Sequence, residues 1–192
     1  MSYVDIFPDK TSYIPLPINL NKADNTIKGC GEPIALFIGV QKQRSQFKGT
    51  DILLPILERI VANNPDKVTL TKAENMPYSD YCRALYGSDI LVDQLYSPTP
   101  NMNSLLAMSH GIAVAGGGEE CCYEILGEKS LRPIINLPCN PDKILSTLEE
   151  LIQKRDRISE LKRMSFEFVK LHHNHIKVAQ QYVELWNQSS IS

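Results

Sequence analysis

The run PIALFIGV, residues 33–40, constrains this chain more than any other stretch. It is continuously apolar and short, the pattern of a strand covered on both faces rather than one. Such a strand needs helices above and below it, and the sequence supplies them in alternation. After the polar loop QKQRSQFKGT, residues Leu53, Ile56, Leu57, Ile60 and Val61 share one helical face. Thr50 or Asp51 supplies the N-cap, and Pro55 lies early enough to cost at most one backbone bond. KVTLT (67–71) alternates as a strand, PYSDYCRALYG (77–87) is a helix between a proline and a glycine, and DILVDQ (89–94) is a strand. NSLLAMSHGIAVAGGGEE (103–120) reads as a short helix ending at Gly111, a small apolar strand, three glycines and a new helix start. RPIINL (132–137) is a last strand, and residues 140–186 read as helix. Five strands alternating with helices predict an α/β domain: a Rossmann-like open parallel sheet with helices on both faces and a helical C-terminal tail.

Residues 1–28 match neither period, and the two prolines of IPLPIN (14–19) enforce an extended segment. This predicts a linker or arm over 1–28 and one folded domain over 29–188. A net charge of −2 and a pI near 6.1 provide no electrostatic reason to expect nucleic acid. No apolar run approaches the ~20 residues that span a bilayer, and MSYVDIFPDKTSY lacks the basic and apolar regions of a signal peptide. The five cysteines, Cys30, Cys82, Cys121, Cys122 and Cys139, form no Cys-x-x-Cys and have no histidine at zinc spacing. Free thiols in a reducing cytoplasm are the expectation. His172 and His175 would share a helical face, a geometry compatible with a metal, but no third ligand has suitable spacing; no metal is expected. The charged run QKRDRISELKRM (153–164) reads as a solvated helix face, with peripheral contact at a membrane as the second reading.

In a parallel sheet, ligands gather at the carboxyl ends of the strands. The familiar phosphate fingerprints are missing: GCGEPI (29–34) precedes its strand, and KGT (48–50) inverts the order of a P-loop. No Asp-x-Asp is available to hold a divalent ion. Two features remain. The loop after the first strand carries Lys42, Arg44 and Lys48; with Gly49 following Lys48 they suit a diphosphate, or are solvated loop charges. Downstream, Thr99 caps and Pro100 opens a helix whose N–H groups from Asn101 to Ser104 either dock an anion or belong to an ordinary helix start. If phosphates sit between Lys48 and Asn101, the loop at Gly117 and Gly118 need not bind them. Glu119 and Glu120 then accept hydroxyls of a vicinal diol, or simply stabilise the helix turn they begin. A sugar nucleotide has both a diphosphate and diols.

Taken in order, these pieces resemble the C-terminal, donor-binding domain of retaining GT-B glycosyltransferases of the family 4 type. The matching segments are the strand ending at Gly39, KGTDILLPIL (48–57), YCRALYGSDILV (81–92), LLAMSHGIAVAGGGEE (105–120), RPIINLP (132–138) and the tail H…VAQQYVELW (175–186). IPLPINL resembles the segment that leads into that domain. The resemblance implies one half of a GT-B fold and metal-independent transfer of a hexose from a nucleoside diphosphate sugar to a glycan or lipid-linked acceptor, with no cofactor. It implies that Lys48 and the backbone of Asn101, Met102, Asn103 and Ser104 contact the donor diphosphate, and that Met76, after the second strand, adjoins the nucleobase. It also implies a cytoplasmic enzyme, peripheral to the inner membrane face, whose acceptor site lies in an N-terminal domain that this chain lacks. Two departures stand out. Val40 occupies the place of an expected arginine, with Arg44 or Lys42 the available substitutes. The family's Glu-x7-Glu pair falls on Pro98 and Leu106, so Glu119 and Glu120 are the candidate replacements. The alternative implied by the loss is a non-catalytic Rossmann-like module binding a nucleotide or a protein.

Overall fold

Alternation within β1 (Ile34–Val40) sets the layering. Ile34, Leu36 and Ile38 face one side and Phe37 the other, and none is more than 2% exposed. The computed structural model describes residues 11–20 and 27–189. After β1 come a single 3-10 turn (Lys42–Arg44), α1 (Ser45–Lys48), α2 (Thr50–Asn63), β2 (Val68–Glu74), α3 (Tyr78–Tyr86) and β3 (Ile90–Val92). Then follow α4 (Met102–Ser109), β4 (Ala113–Ala115), α5 (Glu120–Leu126), β5 (Ile134–Ile135), α6 (Pro141–Ile152), α7 (Arg155–His172) and α8 (His175–Ser189).

The five strands form one parallel sheet in the order β2-β1-β3-β4-β5. The predicted Rossmann-like architecture is therefore observed. On one face, Leu53 and Ile60 of α2 and Ile144 and Leu148 of α6 pack against Leu36, Ile90 and Ala113. On the other, Leu105 and Met108 of α4 and Phe168 of α7 cover Phe37, Leu91 and Val114. Each strand contributes alternate residues to the two cores, which is why the central strands carry no polar face.

A buried ion pair ties the amino edge of the sheet to α7. Lys162 Nζ lies 2.7 Å from Asp89 Oδ1, both side chains under a tenth exposed. Asp89 also accepts from the N–H groups of Gly31 and Ala35, at 3.1 and 3.0 Å, and Lys162 donates to the Gly29 carbonyl at 3.1 Å. Each buried charge is thus met by partners on more than one element, as burial requires.

The tail is not the continuous helix predicted over 140–186. It breaks at Gln153–Lys154 and again at His173–Asn174. The second break has a tertiary cause. Ile18 N–H donates to the His173 carbonyl at 2.7 Å, and His175 N–H donates to the Ile18 carbonyl at 3.1 Å. Part of the predicted arm is thus docked as a short parallel bridge, with Ile18 only 8% exposed. Residues 1–10 and 21–26 of that arm lie outside the described residues. The break also separates His172 from His175, so they do not share a helical face. His172 Nε2 instead lies 2.7 Å from Glu128 Oε2. Among the described residues no group of three or more His, Cys, Asp or Glu side chains could hold a metal. No helix among them is long and apolar enough to cross a membrane.

Candidate functional site

The chain leaves β1 for β2 on one side and returns to β3 on the other, so the strand order reverses between β1 and β3. Loops diverge at such a point and leave a crevice outside the carboxyl ends of the strands. A cavity of about 810 Å³ lies there, within the ordinary range for small-molecule sites.

Its basic wall is the loop after β1. Lys42, Arg44 and Lys48 all line the cavity, as does Gly39 at the end of the strand. Lys48 is the positioned one. Its carbonyl accepts from Leu95 N–H at 2.7 Å, and the next residue, Gly49, has φ +72 with Leu95 Cβ 2.6 Å from where a Cβ would stand. Only glycine allows this approach between the loops after β1 and β3. Lys42 pairs with Glu74 at 2.7 Å but remains 78% exposed, so the pair contributes little to stability. The Arg44 guanidinium lies 5.3 Å from the Phe47 ring centroid.

The floor is built by α3, β3 and α4. The Tyr81 hydroxyl donates to Asn103 Oδ1 at 2.7 Å. A Cβ on Gly39 would come within 3.3 Å of that hydroxyl, so the absent side chain makes room for the phenol. Burial, and then the nearby Asp93 carboxylate, push the Tyr81 pKa up to about 12. The phenol therefore stays protonated and remains a donor. Asp93, directly after β3, lines the same cavity and accepts a hydrogen bond from the Ser104 hydroxyl. Met76 also lines the cavity, next to Asn75, whose φ of 48 turns the chain out of β2.

The helix start differs from the sequence expectation. Asn101, not Thr99, is the N-cap of α4, and the helix begins at Met102 rather than at Pro100. The Asn101 side-chain oxygen accepts from Asn103 N–H at 2.8 Å and Ser104 N–H at 3.2 Å. Two of the N–H groups expected to face an anion are thus satisfied within the helix turn.

The glycine loop also has a different basis. Gly116 and Gly117 have φ of +110 and +73, and a Cβ on either would stand 2.8 Å from the Gln94 carbonyl or 2.9 Å from the Thr99 carbonyl. On Gly118 it would stand 2.8 Å from Ile134 Cβ. These glycines let the loop after β4 press against the 93–100 segment and β5. Gly117 and Gly118 are buried and do not line the crevice. Nor do Glu119 and Glu120. The Glu119 backbone N–H donates to the Pro98 carbonyl at 3.1 Å. Glu120 stands in the first turn of α5 and pairs with Arg132 at 2.6 Å, an arrangement that matches the helix-turn reading of this acid rather than the hydroxyl-binding one.

The structure therefore gathers Gly39, Arg44, Lys48, Met76 and Asn103 around one cavity and leaves Asn101, Met102, Ser104 and the glycine–glutamate loop outside its lining. Two residues of the floor escape a sequence reading. Tyr81 looks like a core residue by its spacing. Asp93 looks like a strand terminus, although a lone carboxylate after a fully buried Ile-Leu-Val run was the available signal.

No family model matches this chain, and no curated protein matches it. Solved structures do. TarM of S. aureus, solved with UDP and alpha-GlcNAc-glycerol, superposes with a TM-score of 0.66 at 12% identity, covering 96% of this chain and 42% of its own. Sucrose-phosphate synthase from Thermosynechococcus elongatus gives 0.65 at 17% identity, covering 98% and 56%. HepE of Anabaena, in complex with UDP-glucose, gives 0.55 at 12% identity, covering 81% and 49%. This chain thus spans about half the length of the structures it matches. With its five-stranded parallel sheet and flanking helices, it has the fold of a Rossmann-like half of a GT-B glycosyltransferase.

Proposed function

We propose that this chain is the donor-binding, C-terminal half of a retaining, family 4 type glycosyltransferase, taking a hexose from a nucleoside diphosphate sugar without a metal. The observation that carries the reading is Lys48, fixed at the topological switch point by its backbone bond to Leu95. Arg44 stands on the same wall and supplies a cation that Val40 does not. As the glycosidic bond breaks, charge develops on the departing diphosphate; preorganised cations stabilise it without reorganising at that moment. Loss of one such donor costs roughly 2.7–4 kcal/mol of transition-state stabilisation in comparable sites. The glycan or lipid-linked acceptor enters from an N-terminal half, at the cytoplasmic face of a membrane. Consequently a donor half by itself binds donor and transfers nothing. A non-catalytic nucleotide-binding or protein-binding module is the competing reading; no observation of the crevice favours it.

Calorimetric titration with UDP, GDP, ADP and TDP and their hexose conjugates tests this. Saturable binding to one base is expected, weakened about 10- to 100-fold by Lys48→Ala, the range for one charge-assisted hydrogen bond. Absence of binding across the panel at millimolar ligand refutes it.

A further inference from the structure

One group in the crevice has no role in holding phosphate. Asp93 follows the fully buried Ile90, Leu91 and Val92 and lines the same cavity as the basic loop. An anion seated against it would be repelled. Its carboxylate is not consumed by the fold either: Oδ2 accepts from Ser104, while Oδ1 has no hydrogen-bond partner among the described residues. No ion pair among the described residues includes it; of the three cations on the same cavity, Lys42 pairs with Glu74 at 2.7 Å.

The surroundings hold this carboxylate in place. Ser104 is 1% exposed and cannot swing away. Its neighbour Asn103 has its carbonyl oxygen occupied by Tyr81 at 2.7 Å, which leaves the amide N–H₂ as its remaining side-chain group, a donor. An acceptor-only carboxylate and a donor amide, presented by adjoining elements, match a hydroxyl, which both donates and accepts. The carboxylate does not match a phosphate oxygen, since both only accept. The elevated Tyr81 pKa reports the same proximity, since Asp93 is its second cause.

We infer that Asp93 is the specificity-determining group of this crevice: its Oδ1 accepts from hydroxyls of the bound donor while the diphosphate lies on the Arg44–Lys48 side. This rests on the donor-site reading above and adds to it the orientation of the ligand and the residue that reads it.

The test uses the 192-residue chain and Asp93→Asn, titrated calorimetrically with UDP-glucose, UDP and 2′,3′-dideoxy-UDP, or the same three ligands of whichever base the panel selects. Removing glucose deletes the hexose hydroxyls together, and the dideoxy ligand deletes the ribose diol. Asp93→Asn is expected to weaken UDP-glucose binding by about tenfold or more. That loss should vanish with UDP and the dideoxy ligand alike if the hexose is read, and with the dideoxy ligand alone if the ribose diol is read, because the carboxylate then has nothing to accept from. A loss equal for all three, no loss, or a gain in affinity overturns the inference; a gain would mean that the carboxylate only repels phosphate. The wild-type chain supplies a measurement independent of any variant's folding: its affinity must itself fall about tenfold at one step, from UDP-glucose to UDP or from UDP to 2′,3′-dideoxy-UDP. Binding that Lys48→Ala abolishes but Asp93→Asn leaves intact sinks this inference alone. Wild-type silence across the panel sinks the donor reading and the inference together.

Discussion

Gly117→Ala separates a packing glycine from a ligand-cradling one. In the fold, Gly117 has φ +73, a conformation that costs an L-residue about 1–2 kcal/mol. The new Cβ would also stand 2.9 Å from the Thr99 carbonyl oxygen and 3.2 Å from its carbon. Both are backbone atoms, so relief requires moving the segment that leads into α4, an overpacking cost of roughly 1–3 kcal/mol. Together these come to about 3 kcal/mol, or roughly 6–12 °C in Tm for a chain of this size. Gly127→Ala is the internal control. Gly127 has φ +65 with nothing within 4 Å of its would-be Cβ, so only the conformational cost of about 1 kcal/mol remains. Thermal denaturation followed by circular dichroism measures the difference. Equal shifts for the two variants would refute the clash. A Gly117→Ala protein that melts like wild type yet no longer binds nucleotide would return the loop to the ligand.

Two further outcomes follow from buried charge. Lys162→Met leaves Asp89 buried with only the Gly31 and Ala35 N–H groups for partners; urea denaturation should register a loss of about 3–5 kcal/mol, and a change below 1 kcal/mol would contradict the pairing. The Leu131 N–H and His172 hold the Glu128 pKa down, to about 2 from 4.5. A carboxylate depressed in this way stabilises the fold above its unfolded pKa and loses that contribution as pH falls from about 4.5 toward 2. Glu128→Gln should therefore flatten the fall in urea midpoint across that interval; an unchanged slope would show that Glu128 is not the group responsible.

Local pattern was sufficient for the architecture. Runs such as 33–40, and the helical faces between them, are short-range signals, and they placed five strands and their covering helices in order. Lys48 and Gly49 were legible for the same reason: a cation and a glycine between a strand and a helix are adjacent in the chain. The rest depended on residues that meet only when the sheet closes. Whether Gly116, Gly117 and Gly118 face a ligand or a neighbouring backbone is settled by Gln94, Thr99 and Ile134, some 16 to 22 positions away. Whether Asn101 exposes its helix turn or seals it depends on a rotamer, not a residue type. The break before His175 arises because Ile18 pairs there with a segment more than 150 residues distant, a contact no local period records. Asp93 is the plainest case. In sequence it ends a strand; in the fold, the strand order brings the Lys48 loop, Tyr81 and Ser104 around it, and that juxtaposition puts an ordinary carboxylate on the floor of the crevice.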